Sequence, residues 1–139
     1  MNSTRPTVSI LVATWNAADL LAQFLDSLLQ QSWTDWELLL LDNASTDSTM
    51  DVVERCRERL LTPQRLIWSS EPDHGIYDAW NRGLRLAQGH YFSFIGADDC
   101  FFDARSLERI AALTITGADL ITARNAYYAP DGRFLRFWG

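Results

Sequence analysis

Four times along this 139-residue chain a short, largely apolar run breaks into polar residues and is followed by a segment of helical periodicity. The runs are Val8-Ser9-Ile10-Leu11-Val12-Ala13, Leu38-Leu39-Leu40-Leu41, Arg65-Leu66-Ile67-Trp68 and Tyr91-Phe92-Ser93-Phe94-Ile95. Runs this short and apolar read as strands buried on both faces, the habit of parallel sheets covered by helices. Between and after them, apolar residues recur at helical intervals. Leu20, Leu21, Phe24, Leu25, Leu28 and Leu29 follow the first run, and Met50, Val53 and Leu60 the second. Ile76, Trp80, Gly83, Leu84 and Ala87 follow the third, and Leu107, Ile110 and Ala111 the fourth. Strand and helix in alternation predict an α/β domain with a mostly parallel sheet, right-handed crossovers and helices on both faces.

Local signals refine the boundaries. Asn16 with Asp19, and Ser48 with Asp51, have the spacing of side-chain caps at helix starts. Gly89 reads as the stop of the third helix. A further strand is expected over Asp119-Leu120-Ile121-Thr122-Ala123. A hairpin is expected from Tyr127-Tyr128-Ala129 and Arg133-Phe134-Leu135-Arg136-Phe137 across Pro130-Asp131-Gly132, whose Asp-Gly step favours a tight turn. With 47% hydrophobic residues and no internal repeat or low-complexity stretch, the chain reads as one domain with enough material for a core.

In open α/β sheets ligands gather beyond the carboxyl ends of the strands. The fourth run ends there in Gly96-Ala97-Asp98-Asp99, a pair of carboxylates at the mouth of the sheet. Such a pair suits a hard divalent cation, Mg²⁺ or Mn²⁺, when substrate phosphates complete the coordination. The plainer reading is a strand-to-helix turn in which Asp98 or Asp99 caps the next helix. Polar groups at the other strand ends favour the site: Thr14-Trp15-Asn16 after the first run and Asp42-Asn43-Ala44-Ser45-Thr46-Asp47 after the second.

Several classes are disfavoured. A net charge of −6 argues against a nucleic-acid surface, which needs clustered Lys and Arg. Two cysteines, Cys56 and Cys100, form neither a disulfide framework nor a zinc spacing. No apolar stretch is long enough to span a bilayer and no secretion signal is visible. The expected location is the cytoplasm, with peripheral association at the inner face of the membrane as a variant.

The residues Val8 to Asn16, Glu37 to Thr49, Ser70 to Asn81 and Gly96 to Asp99, in that order, resemble the nucleotide-binding half of family 2 glycosyltransferases. The resemblance implies the Rossmann-like GT-A fold over almost the whole chain. It further implies an enzyme that binds a nucleoside diphosphate sugar, most often UDP-linked, with a divalent cation (Mn²⁺ or Mg²⁺). Such an enzyme transfers the sugar with inversion to a hydroxyl of a saccharide or glycoconjugate acceptor, typically in polysaccharide assembly.

By the same resemblance Asp99 is the metal ligand, and Asp98 faces the ribose or a metal-bound water. Gly96 stands where relatives often carry another Asp or Asn. Ala13, Thr14, Asn16, Asp42 and Asn43 would line the base and ribose site, and Asp73, Asp78 and Asn81 the stretch beneath the donor. Two of these have plainer readings: Asp42 as a turn residue bonding its own backbone, and Asn16 as a helix cap. Trp80 sits where relatives often carry a basic residue and is expected to be core. Arg82 is expected to point elsewhere on its helix, and His74 to be exposed to solvent or a minor wall of the pocket rather than a general base.

The acceptor site and catalytic base lie downstream of this half in the family, so no base is assigned, and the domain, residues 1–139, is expected to be truncated. Phe134, Leu135, Phe137 and Trp138 would then await a missing remainder or be buried by self-association. The alternatives are a non-catalytic nucleotide- or metal-binding module and a nucleotidyltransferase. The latter lacks its basic Gly-rich loop here, and a dehydrogenase would need a G-x-G-x-x-G that is absent.

Overall fold

A computed structural model describes residues 5–61 and 64–138. Four strands, β1 (Val8–Thr14), β2 (Trp36–Asp42), β3 (Arg65–Ser70) and β4 (Tyr91–Gly96), form one sheet in the order β3-β2-β1-β4. All three pairings are parallel. The helices α1 (Ala18–Leu29), α2 (Thr49–Arg59), α3 (Ile76–Leu86) and α4 (Ser106–Thr114) each follow a strand, as the alternation requires. A separate antiparallel hairpin, β5 (Asn125–Tyr128) and β6 (Phe134–Trp138), closes the described chain.

Side-chain alternation along the strands divides the core. Val8, Ile10 and Val12 of β1, with Trp36, Leu38 and Leu40 of β2, pack with α1, α2 and Leu107 of α4. Leu11, Leu39 and Leu41 face the other way, where Ala79 of α3 joins them. Every residue of β2 is buried, which is why its apolar run is unbroken. The second face is covered only in part: α3 lies on β1 and β2, while Phe92 and Phe94 of β4 remain about half exposed.

At the amino ends of the strands one polar knot replaces apolar packing. Glu37, wholly buried, accepts hydrogen bonds from the Ser9 hydroxyl (2.6 Å) and the Gln88 N–H (2.6 Å). The Arg65 guanidinium approaches its other oxygen at 3.2 Å. Ser9 also accepts the Gly89 N–H at 2.8 Å. A Cβ on Gly89 would lie 2.5 Å from the Ser9 backbone nitrogen, so only glycine fits this crossing. That is its role, rather than ending α3, which closes earlier with Ala87 at its C-cap.

Other expectations are corrected. Asp119 to Ala123 forms no strand; Leu120 is 79% exposed, and this β-prone segment finds no ladder partner among the described residues. Neither expected side-chain cap forms: α1 and α2 have Ala17 and Ser48 at their N-caps, without side-chain cap bonds. The hairpin forms as its turn chemistry predicts, and Phe134, Leu135, Phe137 and Trp138 on it are all exposed. Both cysteines are free, Cys100 exposed and Cys56 buried, its thiol pKa pushed up by burial to about 11.

Candidate functional site

Parallel register brings the strand ends level. Thr14 pairs with Asp42, Asp42 with Ser70, and Ala13 with Gly96, so one edge of the sheet carries all four tips. Asp42 organises this edge from a fully buried position. One carboxylate oxygen accepts the hydroxyls of Thr14 (2.9 Å) and Ser45, and the other the Ser70 hydroxyl (2.6 Å) and the Ser45 N–H (2.8 Å). Burial pushes its pKa up, but the bonds from the Ser45 hydroxyl, Ser70, the Ser45 N–H and Thr14 outweigh burial and hold it below the usual carboxylate value.

The loops after β1 and β2 are stitched together. Asn16 does not cap α1. It adopts a φ of 45°, and its side-chain oxygen accepts the N–H groups of Thr46 (2.8 Å) and Asp47 (3.3 Å). Capping comes instead from the facing loop, where Asp47 accepts the Ala18 N–H (3.2 Å) and Thr49 the Ala17 N–H (3.0 Å). Asp47 also accepts the Thr49 N–H, serving both helix starts. A cap supplied across 29 residues has no local sequence signature, which is why the reading from sequence missed it.

Ala44 shares this loop with a φ of 45°, a region that disfavours any residue bearing a Cβ. Replacing it by glycine relieves roughly 1–2 kcal/mol of strain against roughly 0.5–1 kcal/mol of added unfolded-chain entropy. Ala44→Gly is therefore expected to stabilise the fold by about 0.5–1 kcal/mol in urea denaturation.

The loop between β3 and α3 closes one side. Its Glu71 N–H donates to the Asp42 carbonyl (3.0 Å), and its Asp73 N–H to the Asn43 side-chain oxygen (2.8 Å). The Asp73 side chain is 3% exposed. Asp78 accepts the His74 N–H (3.2 Å), the leading cause of a pKa below the usual carboxylate value, while the His74 side chain lies in solvent as expected. Asn81 is exposed on α3 and makes no side-chain hydrogen bond to the other candidates among the described residues. Trp80 is partly buried against the α3 side of the sheet, its ring 4.8 Å from that of Phe94. Arg82 departs from expectation: it turns back toward this loop, with Nε 3.2 Å from Glu71.

On the other side of β1, Asp98 and Asp99 are exposed in the turn beyond β4. Asp99 accepts the Gly96 N–H (3.1 Å), and its own N–H donates to the Gly96 carbonyl (3.1 Å). A Cβ on Gly96 would lie 2.5 Å from an oxygen of Asp98 and 3.1 Å from one of Asp99. The missing side chain thus leaves room for one oxygen of each carboxylate beside Gly96. Asp42 and Gly96 flank β1, about 10 Å apart at two inter-strand spacings. Two adjacent exposed carboxylates are a donor set that a divalent cation accepts when its other ligands are phosphate and water. No third His, Cys, Asp or Glu joins them in a cluster among the described residues.

The sequence matches the family model for glycosyl transferase family 2 over residues 9–137. The chain belongs to family 2 of the glycosyltransferases. A Mycobacterium tuberculosis relative, a PGL/p-HBAD biosynthesis glycosyltransferase, is 43% identical over 107 residues, 77% of this chain and 41% of its own length. The putative teichuronic acid biosynthesis glycosyltransferase TuaG of Bacillus subtilis is 30% identical over 128 residues, 87% of this chain and 50% of its own. The chain thus spans half or less of these curated relatives.

Solved structures of the family agree on the fold. The mannosyltransferase PcManGT of Pyrobaculum calidifontis, in complex with GDP-Man and Mn²⁺, superposes with a TM-score of 0.68 at 30% identity, covering 78% of this chain and 32% of that one. Staphylococcus aureus TarS with UDP-GlcNAc superposes at 0.70 and 26% identity, covering 79% and 31%. The GT-A assignment therefore holds, with the four parallel strands and their flanking helices as the shared framework. Among the described residues no helix is long and apolar enough to cross a membrane.

Proposed function

We propose that this chain binds the nucleoside diphosphate sugar donor of an inverting, metal-assisted family 2 glycosyltransferase. The observation that carries the reading is the single sheet edge on which Thr14, Asp42 and Asn43 stand on one side and the Asp98–Asp99 pair on the other. Ala13, Thr14, Asn16 and Asn43 line the base and ribose end. Asp42 acts there by holding the strand tips together, since its four hydrogen bonds occupy both oxygens. Asp73, Asp78 and Asn81 border the donor from α3 and the loop before it. Asn43 can donate through its amide NH₂ while its oxygen holds the Asp73 N–H, chemistry that is compatible with a uracil edge, so UDP is the carrier tested first.

Asp99 is the proposed metal ligand, and Asp98 the neighbour that orients ribose or a metal-bound water. A divalent cation there stabilises negative charge on the leaving diphosphate without protonation. The Gly96 N–H fixes Asp99, so its carboxylate is held in place before any ligand arrives. The acceptor hydroxyl belongs to a saccharide or glycoconjugate, in keeping with the names of the curated relatives. No residue of this chain is assigned as the base.

Titration with UDP and UMP in Mn²⁺ tests the reading. UDP is expected to bind at least about tenfold more tightly, because its second phosphate reaches the metal. Equal affinities would remove the carboxylate pair from the site.

A further inference from the structure

Arg82 lies near the strand tips and has no role in the donor reading. Its side chain is 15% exposed, and its Nε and Nη2 atoms are buried without a hydrogen bond. Two carboxylates face it: Glu71 at 3.2 Å from Nε, and Asp73 at 4.0 Å from Nη2. The Glu71 side chain is half exposed, but that of Asp73 is 3% exposed. A carboxylate withdrawn from water needs a compensating charge, and Arg82 is the only Lys, Arg or His within 4.0 Å of Asp73 among the described residues.

The position of Asp73 matters for the site. Its N–H is held by the Asn43 side chain, and its carboxylate accepts the Gly75 N–H (2.8 Å), where α3 begins. The neighbouring Glu71 N–H is fixed to the Asp42 carbonyl. Between β3 and α3 the chain is therefore pinned at Glu71 and Asp73 to Asp42 and Asn43 at the end of β2, with one cation facing both acids.

We propose that Arg82 is a positioning residue for donor binding, holding the Glu71–Gly75 loop against Asn43 through the charges of Glu71 and Asp73. The inference rests on the donor-site reading above. Since neither contact has hydrogen-bond geometry, the charge carries the effect and a lysine can supply it.

The test compares the intact chain with Arg82→Met and Arg82→Lys. UDP affinity in Mn²⁺ is measured by calorimetry, and amide exchange by mass spectrometry over residues 70–78. Arg82→Met is expected to bind UDP about tenfold more weakly and to exchange faster at residues 71–75, with β1 and β2 unchanged. Arg82→Lys is expected to stay within about threefold of the parent, with parental exchange. Parental UDP binding by Arg82→Met, equal damage in both variants, or faster exchange spread through the whole sheet overturns the proposal. If the parent chain binds no UDP, the donor reading fails and this inference falls with it; unchanged binding in Arg82→Met defeats the inference alone.

Discussion

Asp42→Ala is expected to destabilise the fold by about 3 kcal/mol, because it removes from a fully buried position the charged acceptor that four donors share, the buried Thr14 hydroxyl among them. The hydroxyls of Thr14, Ser45 and Ser70 and the Ser45 N–H all converge on this carboxylate. Those groups sit on β1, β3 and the loop after β2, so the loss spreads across the whole edge. Asp42→Asn is expected to fall between the parent and the alanine variant, since an amide accepts on one side only and its NH₂ faces donors on the other.

The effect depends on pH in a direction fixed by the depressed pKa. A carboxyl whose folded pKa lies below its unfolded value of 3.8 contributes its full stabilisation above that value. The contribution is lost as pH falls through the folded pKa. Urea denaturation of parent and Asp42→Ala is thus expected to show the widest gap at neutral pH and a narrower one below about pH 3.8. A gap that stays constant on acidification would mean that the carboxylate charge is not what the tip network uses.

Glu37→Ala is expected to cost a similar amount, about 3 kcal/mol, at the opposite end of the sheet. Its carboxylate is fully buried and satisfies the Ser9 hydroxyl and the Gln88 N–H, so truncation leaves both without a partner. Arg65 is half exposed, and Arg65→Ala is expected to cost only about 1 kcal/mol because water can replace it at the rim. Glu37 lies at the amino ends of the strands, away from the tips. Folded Glu37→Ala is therefore expected to bind UDP as the parent does, separating stability from site geometry. Equal costs for Glu37→Ala and Arg65→Ala would show that the ion pair, rather than the buried hydrogen bonds, carries the stabilisation.

The two carboxylates mark what was legible in the sequence. Strand positions were read correctly because β1 and β2 are buried on both faces and their apolar runs leave little choice. The order of the tips then follows from parallel topology, so Asp42, Asn43 and the Asp98–Asp99 pair could be placed on one edge. Contacts between segments distant in sequence could not be read. Asn16 and Ser48 carry the signals of local caps, yet Asn16 bonds to the facing loop and the start of α1 is capped from that loop by Asp47. Gly89 looks like a helix stop, and its backbone contact with Ser9, 80 residues away, is what requires it. Arg82 was placed by helical phase alone, whereas the acids of the preceding loop draw its long side chain back. The strand expected over Asp119 to Ala123 failed for the converse reason: propensity was present and a pairing partner was not.

Calorimetric titration with UDP, in Mn²⁺ and in EDTA, of the parent chain and Asp99→Asn tests the central claim most directly. The substitution keeps an oxygen for the Gly96 N–H while removing the charge a cation needs. The account predicts UDP binding by the parent that weakens at least about tenfold in EDTA, and an Asp99→Asn protein whose residual binding is indifferent to metal. Binding of equal strength in all four titrations, or no binding by the parent in Mn²⁺, would contradict it.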